Sequence, residues 1–299
     1  MNNKLFLISV AAAAFALTAC SSDGETPVEK AKYITVSTSI DGLSRMATND
    51  GEQTFTEGDK ISIYAWTGDA ATAPLEKDRV VNNAINTLTS GVWVSEPQML
   101  WKDMVTPHYF IGVYPSSETP VSSLTAADYT FNVADQLASD LLVATNVSGI
   151  NASNNPVPLT FNHVMAKLIV NLEYRNQWGG TPTVENVRVE DTAGGATVNY
   201  LTQDVKAWTS NKAELTLPTV TANAQYASII IPQKGISVIH VRIGGKDYTY
   251  RHNADIQLES GKYTTVNLIV GRNEITLADD ISIKAWGEGE EINGGEAMD

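Results

Sequence analysis

The chain has 299 residues, 20 Lys and Arg against 34 Asp and Glu, a net charge of -14 and a single cysteine. Such acidity argues against a nucleic-acid partner, whose phosphates need a basic surface, and one cysteine excludes an intrachain disulfide. The length suits two ordinary domains.

In chain order, Lys4 and the apolar run Leu5 to Leu17 form a charged n-region and an h-region too short to span a bilayer as a helix. Leu17-Thr18-Ala19-Cys20 closes it. Small residues before a lone thiol are the layout of a lipoprotein signal, so residues 1–19 read as a signal peptide and Cys20 as the acylated residue of a lipoprotein, held by several acyl chains. Ser21 to Lys30 is polar and acidic and reads as a flexible tether.

Tyr33 to Ile40 then alternates, with Ile34, Val36, Thr38 and Ile40 on one face, which predicts a half-buried strand. Beyond it short runs rich in Val, Ile, Thr and Tyr recur between Gly, Pro, Asn and Asp clusters, predicting a β-sandwich architecture. Such runs are Lys60 to Trp66, His108 to Tyr114, Lys167 to Glu173, Val184 to Glu190, Ser228 to Ile231, Ser237 to Ile243, Asp247 to Arg251, Thr264 to Val270 and Ile281 to Trp286. Gly244-Gly245 signals a hairpin. Helix is expected only as single turns near Thr125 to Asp128 and Asp204 to Trp208. The cluster Asn151 to Pro158 places a domain boundary between residues 158 and 159.

Chemistry is sparse. His108, His163, His240 and His252 have no metal-ligand spacing and no cysteine to help, so no metal or cofactor is expected. There is no P-loop, no GxSxG elbow and no GxGxxG, so the chain does not read as an enzyme. Paired carboxylates of a glycan hydrolase cannot be told from solvated surface. The tryptophans Trp66, Trp93, Trp101, Trp178, Trp208 and Trp286 read as core rather than as a sugar platform.

A family resemblance is carried by motifs spread along the chain. Phe55-Thr56-Glu57-Gly58-Asp59-Lys60-Ile61-Ser62-Ile63-Tyr64 resembles the early signature of the fimbrillins, the pilins of type V pili. Phe161-Asn162-His163-Val164-Met165-Ala166-Lys167-Leu168 is similar to the opening of their second domain. Tyr109 to Pro115, Asp140 to Ala144, Ile231-Pro232-Gln233, Leu258 to Tyr263 and Ile281 to Trp286 resemble further segments, in the same order.

The resemblance implies an all-β fold of two transthyretin-like β-sandwich domains in tandem, 46–158 and 159–299, and a structural subunit of a cell-surface fimbria serving adhesion. It implies export as an outer-membrane lipoprotein, then cleavage by a trypsin-like or arginine-specific protease. Arg45 is the only basic residue between Lys32 and Lys60, in the loop-like stretch Asp41 to Gly51, so the Arg45 to Met46 bond is the expected cut. Residues 20–45 would leave as lipidated tether and first strand. The donor that fills the groove would come from residues 275–286 of another subunit, this chain or a co-operating pilin, through Ile275, Leu277, Ile281, Ile283 and Ala285, unless Ile281 to Trp286 instead completes its own domain's sheet. Asp191-Thr192-Ala193 resembles an O-glycosylation sequon, making Thr192 a candidate site. The alternative reading is a permanently anchored surface lipoprotein that binds glycans.

Overall fold

The computed structural model describes residues 33–41, 54–136 and 138–285. Cys20, Arg45, Met46 and Trp286 lie outside these described residues, as do all of residues 42–53.

The described residues form β1 (Val36–Ile40), β2 (Lys60–Thr67), β3 (Val81–Thr89), β4 (Val92–Glu96), β5 (His108–Tyr114), β6 (Ala127–Thr130), β7 (Leu142–Ile150), β8 (Val157–His163), β9 (Ala166–Tyr174) and β10 (Val184–Ala193). They continue as β11 (Gly195–Asn199), β12 (Asp204–Ala207), β13 (Lys212–Thr216), β14 (Thr219–Thr221), β15 (Gln225–Ile230), β16 (Val238–Ile243), β17 (Lys246–Arg251), β18 (Lys262–Val270), β19 (Ile275–Leu277) and β20 (Ser282–Ala285). The fold is all-β, with single 3-10 turns as its only helical elements among the described residues.

A seven-stranded sheet in the order β1-β8-β7-β5-β2-β3-β4 curls around its own core, so that Ile61 and Ile63 of β2, Phe110 of β5 and Leu159 and Phe161 of β8 share one interior. The opposite face of the same sheet is also covered. Tyr64, Trp66, Ile111 and Val143 pack there against Ala127, Ala196 and Val198 of a three-stranded sheet ordered β12-β11-β6. Burial on both faces explains why β2 and β5 read as continuous apolar runs rather than as alternations.

In the C-terminal half β13-β10-β16-β17 packs on a second sheet in which β14-β15-β9-β18 run together and both β19 and β20 pair with β18. Leu168, Val170, Val266 and Leu268 from one layer meet Val187, Val189, Ile239 and Val241 from the other, a sandwich core. The β16–β17 hairpin turns at Gly244-Gly245, both at positive φ (58° and 75°), as a primed turn requires.

Both expected helical turns are instead strands: Ala127–Thr130 is β6 and Asp204–Ala207 is β12. Each adds to one edge of β11, so pairing overrides a weak local preference. Strand β8 crosses the expected boundary at 158/159 and pairs with both β1 and β7, while β6 pairs forward with β11. The described residues between 33 and 285 fall in one compact unit.

Candidate functional site

Strand β1 is the first edge of the seven-stranded sheet and pairs parallel with β8, Val36 opposite Val157 and Ile40 opposite Phe161. The expected alternation holds along it. Ile34 (2% exposed) and Val36 (7%) enter the core, Thr38 and Ile40 are half-buried, and Thr35, Ser37 and Ser39 face outward. Backbone bonds fasten both ends: Val157 N donates to Thr35 O at 2.8 Å and Asp41 N to Phe161 O at 2.8 Å. The Asn155 side chain accepts from Thr35 N at 3.0 Å and donates to Thr35 Oγ1 at 2.9 Å, capping the strand's start.

On its other side β1 runs beside β4, the opposite edge of the curled sheet. Here the seam is uneven. Tyr33 bridges Leu100, and Ile34 N donates to Met99 O at 2.9 Å, so the N-terminal end is closed. Further along no ladder joins the two strands among the described residues, and Trp93 Nε1 to Thr38 Oγ1 at 2.9 Å crosses the space. A cavity of about 760 Å³ opens between Val36 and Ile40 on one wall and Leu88, Val92 and Trp93 on the other.

Phe55 floors this gap, edge-on to Trp93, Tyr114 and Phe161 at 5.2, 5.5 and 5.1 Å between ring centroids. Its neighbours hold the wall in place. Glu57 accepts from Ser90 N at 2.8 and 2.9 Å through its two oxygens, pinning the turn into β4, and Gly58 N donates to Leu88 O at 2.9 Å.

At the other end of the chain, Ile275 and Leu277 of β19 lie opposite Val270 and Leu268 of β18. In β20, Ile283 and Ala285 lie opposite Thr264 and Lys262 of the same strand. Ile275, Leu277 and Ile281 pack on the C-terminal core yet remain half-buried, as does Ile283, and Ala285 is exposed. Both segments therefore cover the outer edge of their own sheet.

The fimbrillin-like family profile matches residues 44–286. This chain belongs to the fimbrillin-like family. The fimbrillin is 25% identical over 240 residues to Fim1C of Bacteroides uniformis, a candidate fimbrium subunit, covering 77% of this chain and 75% of that one. Solved structures share its fold: a candidate cell adhesion protein of Bacteroides ovatus (TM-score 0.66, 19% identity, 87% of this chain and 99% of that chain) is one. Another, from Bacteroides uniformis, has a TM-score of 0.60 at 16% identity, over 78% of this chain and 93% of that chain. Family membership makes the fimbrillin a structural protein of a cell-surface appendage, not an enzyme.

The fimbrillin's signature residues gather at two places. Phe55, Glu57, Gly58 and Asp59 build the gap, where Asp59 accepts from Thr56 N at 2.6 Å and from the Tyr114 hydroxyl at 3.3 Å. Asp140, His163, Met165, Gln233, Leu258 and Gly261 meet where β8 turns into β9. There His163 Nδ1 lies 2.9 Å from Asp140 Oδ1, both side chains buried, and Gly261 N donates to Met165 O at 2.9 Å. Gly261 sits at φ +67°, and a Cβ would stand 3.0 Å from His163 O, so a side chain is excluded on both counts. Gln233 Oε1 accepts from Ala193 N at 3.1 Å, and its own N donates to Leu258 O at 3.0 Å, tying β10 to the same junction. Burial pushes the neighbouring Lys167 ammonium below its usual range, against the pull of the Asp140 carboxylate.

No three of His, Cys, Asp and Glu are placed to hold a metal among the described residues. Trp66, Trp93 and Trp101 are buried, and the half-buried Trp178 and Trp208 donate their indole N–H to Val270 O and Thr197 Oγ1. Thr192 is buried in β10 and its hydroxyl donates to Ala213 O at 2.8 Å, so a glycan there requires the β10–β13 pairing to open.

Proposed function

We propose that this fimbrillin is a strand-exchanging subunit of a cell-surface fimbria that serves adhesion, exported to the outer membrane as a lipoprotein acylated on Cys20. A trypsin-like or arginine-specific protease cuts between Arg45 and Met46, and the lipidated segment leaves with β1. The slot between β8 and β4 is then filled by the C-terminal segment of another subunit, of this chain or a co-operating pilin.

The observation that carries the reading is the placement of β1. It is an edge strand with no described strand before it, it precedes Arg45 in the chain, and it plugs one wall of a core with Ile34 and Val36. Its departure exposes apolar core and the unpaired edge of β8 together, a surface that requires an extended apolar strand. Ile275, Leu277, Ile281 and Ile283 have the alternation to supply one, and their half-burial at a sheet edge lowers the barrier to release. Each aliphatic side chain moved fully into a core contributes about 1.5–3 kcal/mol before association costs.

Arg45→Ala is the direct test. The variant is expected to accumulate at the outer membrane as a lipidated monomer that starts at Cys20 and forms no fimbriae, whereas the parent recovered from fimbriae starts at Met46. N-terminal sequencing and electron microscopy of surface material read both outcomes. Normal fimbriae from Arg45→Ala would exclude cleavage-licensed assembly.

A further inference from the structure

The gap between β1 and β4 has the shape of an entry site, and we infer that the C-terminal segment of a second copy docks there while β1 is still in place, then displaces β1 from its Ile40 end toward Ile34. This rests on the strand-exchange reading above and specifies how exchange begins.

Among the described residues, backbone bonds close the seam at one end only. Tyr33–Leu100 and Ile34–Met99 join β1 to the segment after β4, whereas from Val36 onward β1 is laddered on the β8 side alone. A strand laddered on one side at its C-terminal half, where a Trp93–Thr38 side-chain bond crosses the gap, and tied by backbone on both sides at its start is displaced most easily from the C-terminal half. The open half is a built cleft and not slack packing. Three aromatic contacts fix Phe55 as its floor, and Glu57 and Gly58 hold the β3–β4 turn back from β1.

The floor is also continuous with the slot that β1 fills, because Phe55 touches Phe161 of β8 and Trp93 of β4. An incoming strand seated on Phe55 is therefore already in line with the core positions of Val36 and Ile34. The outer rim is apolar too, since Val92 and Val94 are 61% and 54% exposed on an edge strand where a lysine would ordinarily block pairing.

Charge selects the occupant. The fimbrillin carries a net charge of -14, so two copies repel at long range, yet no charged side chain lines the gap among its described residues. Ile275-Thr276-Leu277 and Ile281-Ser282-Ile283 are equally neutral. They match a cleft whose two walls are strand edges, and a second copy brings them already extended at the edge of a sheet.

Exchange kinetics decide the order of events. The unlipidated chain starting at Cys20 is labelled on that sole thiol, cut at Arg45 by limited proteolysis, and mixed with a synthetic peptide of residues 273–299. Loss of fluorescence anisotropy follows release of the 20–45 fragment. Docking before displacement makes the release rate rise in proportion to peptide concentration, and Val92→Lys lowers that slope by about tenfold, the worth of one lost valine contact. Val147→Lys, at an exposed valine on β7 away from the gap, leaves the slope as in the parent.

A release rate independent of peptide concentration, including immediate loss of the fragment on cutting, would overturn the inference. So would an unchanged slope in Val92→Lys. Binding of the same peptide to a chain starting at Met46 tests the underlying reading separately. If that chain does not bind it, strand exchange and this entry route both fall; if it binds while release stays concentration-independent, only the entry route falls.

Discussion

β1 and the C-terminal pair β19–β20 are both edge elements with alternating apolar residues, but they are seated differently. β1 stands in the wall of a curled sheet and drives Ile34 and Val36 into a closed core. β19 and β20 lie along β18 and keep Ile275, Leu277, Ile281 and Ile283 half-buried. Alternation in a sequence says that one face of a strand is to be covered. How deeply depends on whether another layer closes over it, and that is decided by residues far away in the chain. The contrast suits an exchange: the element that leaves is a plug whose loss opens a slot, and the element that is lent covers an edge that tolerates exposure.

The sharpest way to break the comparison is to prevent the plug from leaving. Ser39 and Thr160 are outward-facing partners on β1 and β8, with Ser39 Oγ 3.2 Å from Thr160 Oγ1. In a Cys20→Ser background, Ser39→Cys with Thr160→Cys should form a disulfide that holds β1 in the sheet. Oxidised protein cut at Arg45 is expected to yield no polymer, and a reductant should restore assembly to the parental level. Sedimentation or electron microscopy reads the result, and polymerisation of the oxidised protein would mean that β1 need not leave.

A smaller effect measures the two seats directly. Ile34→Ala removes a fully buried side chain from the core and should lower the stability of the uncut chain by about 3 kcal/mol. Leu277→Ala trims a half-buried one and should lower it by about 1 kcal/mol. Urea denaturation of the two variants gives the ratio. Equal losses would show that the C-terminal segment is as deeply anchored as β1, and the distinction between plug and cover would fail.

Much of this was legible in sequence, for identifiable reasons. Runs such as His108 to Tyr114 and the glycine pair between β16 and β17 are governed by local rules, and the strands appear where alternation or apolar continuity placed them. The face of β1 was equally readable. What was hidden depends on pairing. Val81–Thr89, with Asn82, Asn83 and Asn86, carries little strand propensity and becomes β3 because β2 and β4 flank it. The Asn155 and Pro156 turn masks β8, whose pairing with β1 spans more than a hundred residues of chain. The signature motifs could be found by resemblance, but their convergence into the gap around Phe55 and the Asp140–His163 junction had no local signal, since each contact joins distant segments.

The same comparison carries a pH dependence, the smallest of the expected effects. His108 lies buried in the β1 half between Trp101 and Phe110, where its Nδ1 is 2.8 Å from Thr106 O and its Nε2 accepts from Lys102 N at 3.1 Å. Both ring nitrogens are thus satisfied in the neutral form, and a second ring proton would point at an N–H. Burial pushes the imidazole below its ordinary range, outweighing the Thr106 carbonyl and the Asp103 carboxylate, which favour the proton. The unfolded chain takes up its proton near pH 6.5, while the folded chain does so only at lower pH. Stability is therefore full above about pH 6.5, falls as the pH drops through the interval down to the folded value, and levels off below it, with a slope of at most about 1.4 kcal/mol per pH unit from this group. Because the strain falls in the core that holds β1, acid should raise hydrogen exchange at the Ile34 amide more than at the Leu277 amide, and His108→Asn should abolish that difference. Equal loosening of both amides, or an unchanged difference in His108→Asn, would assign the acid sensitivity to groups outside the β1 core.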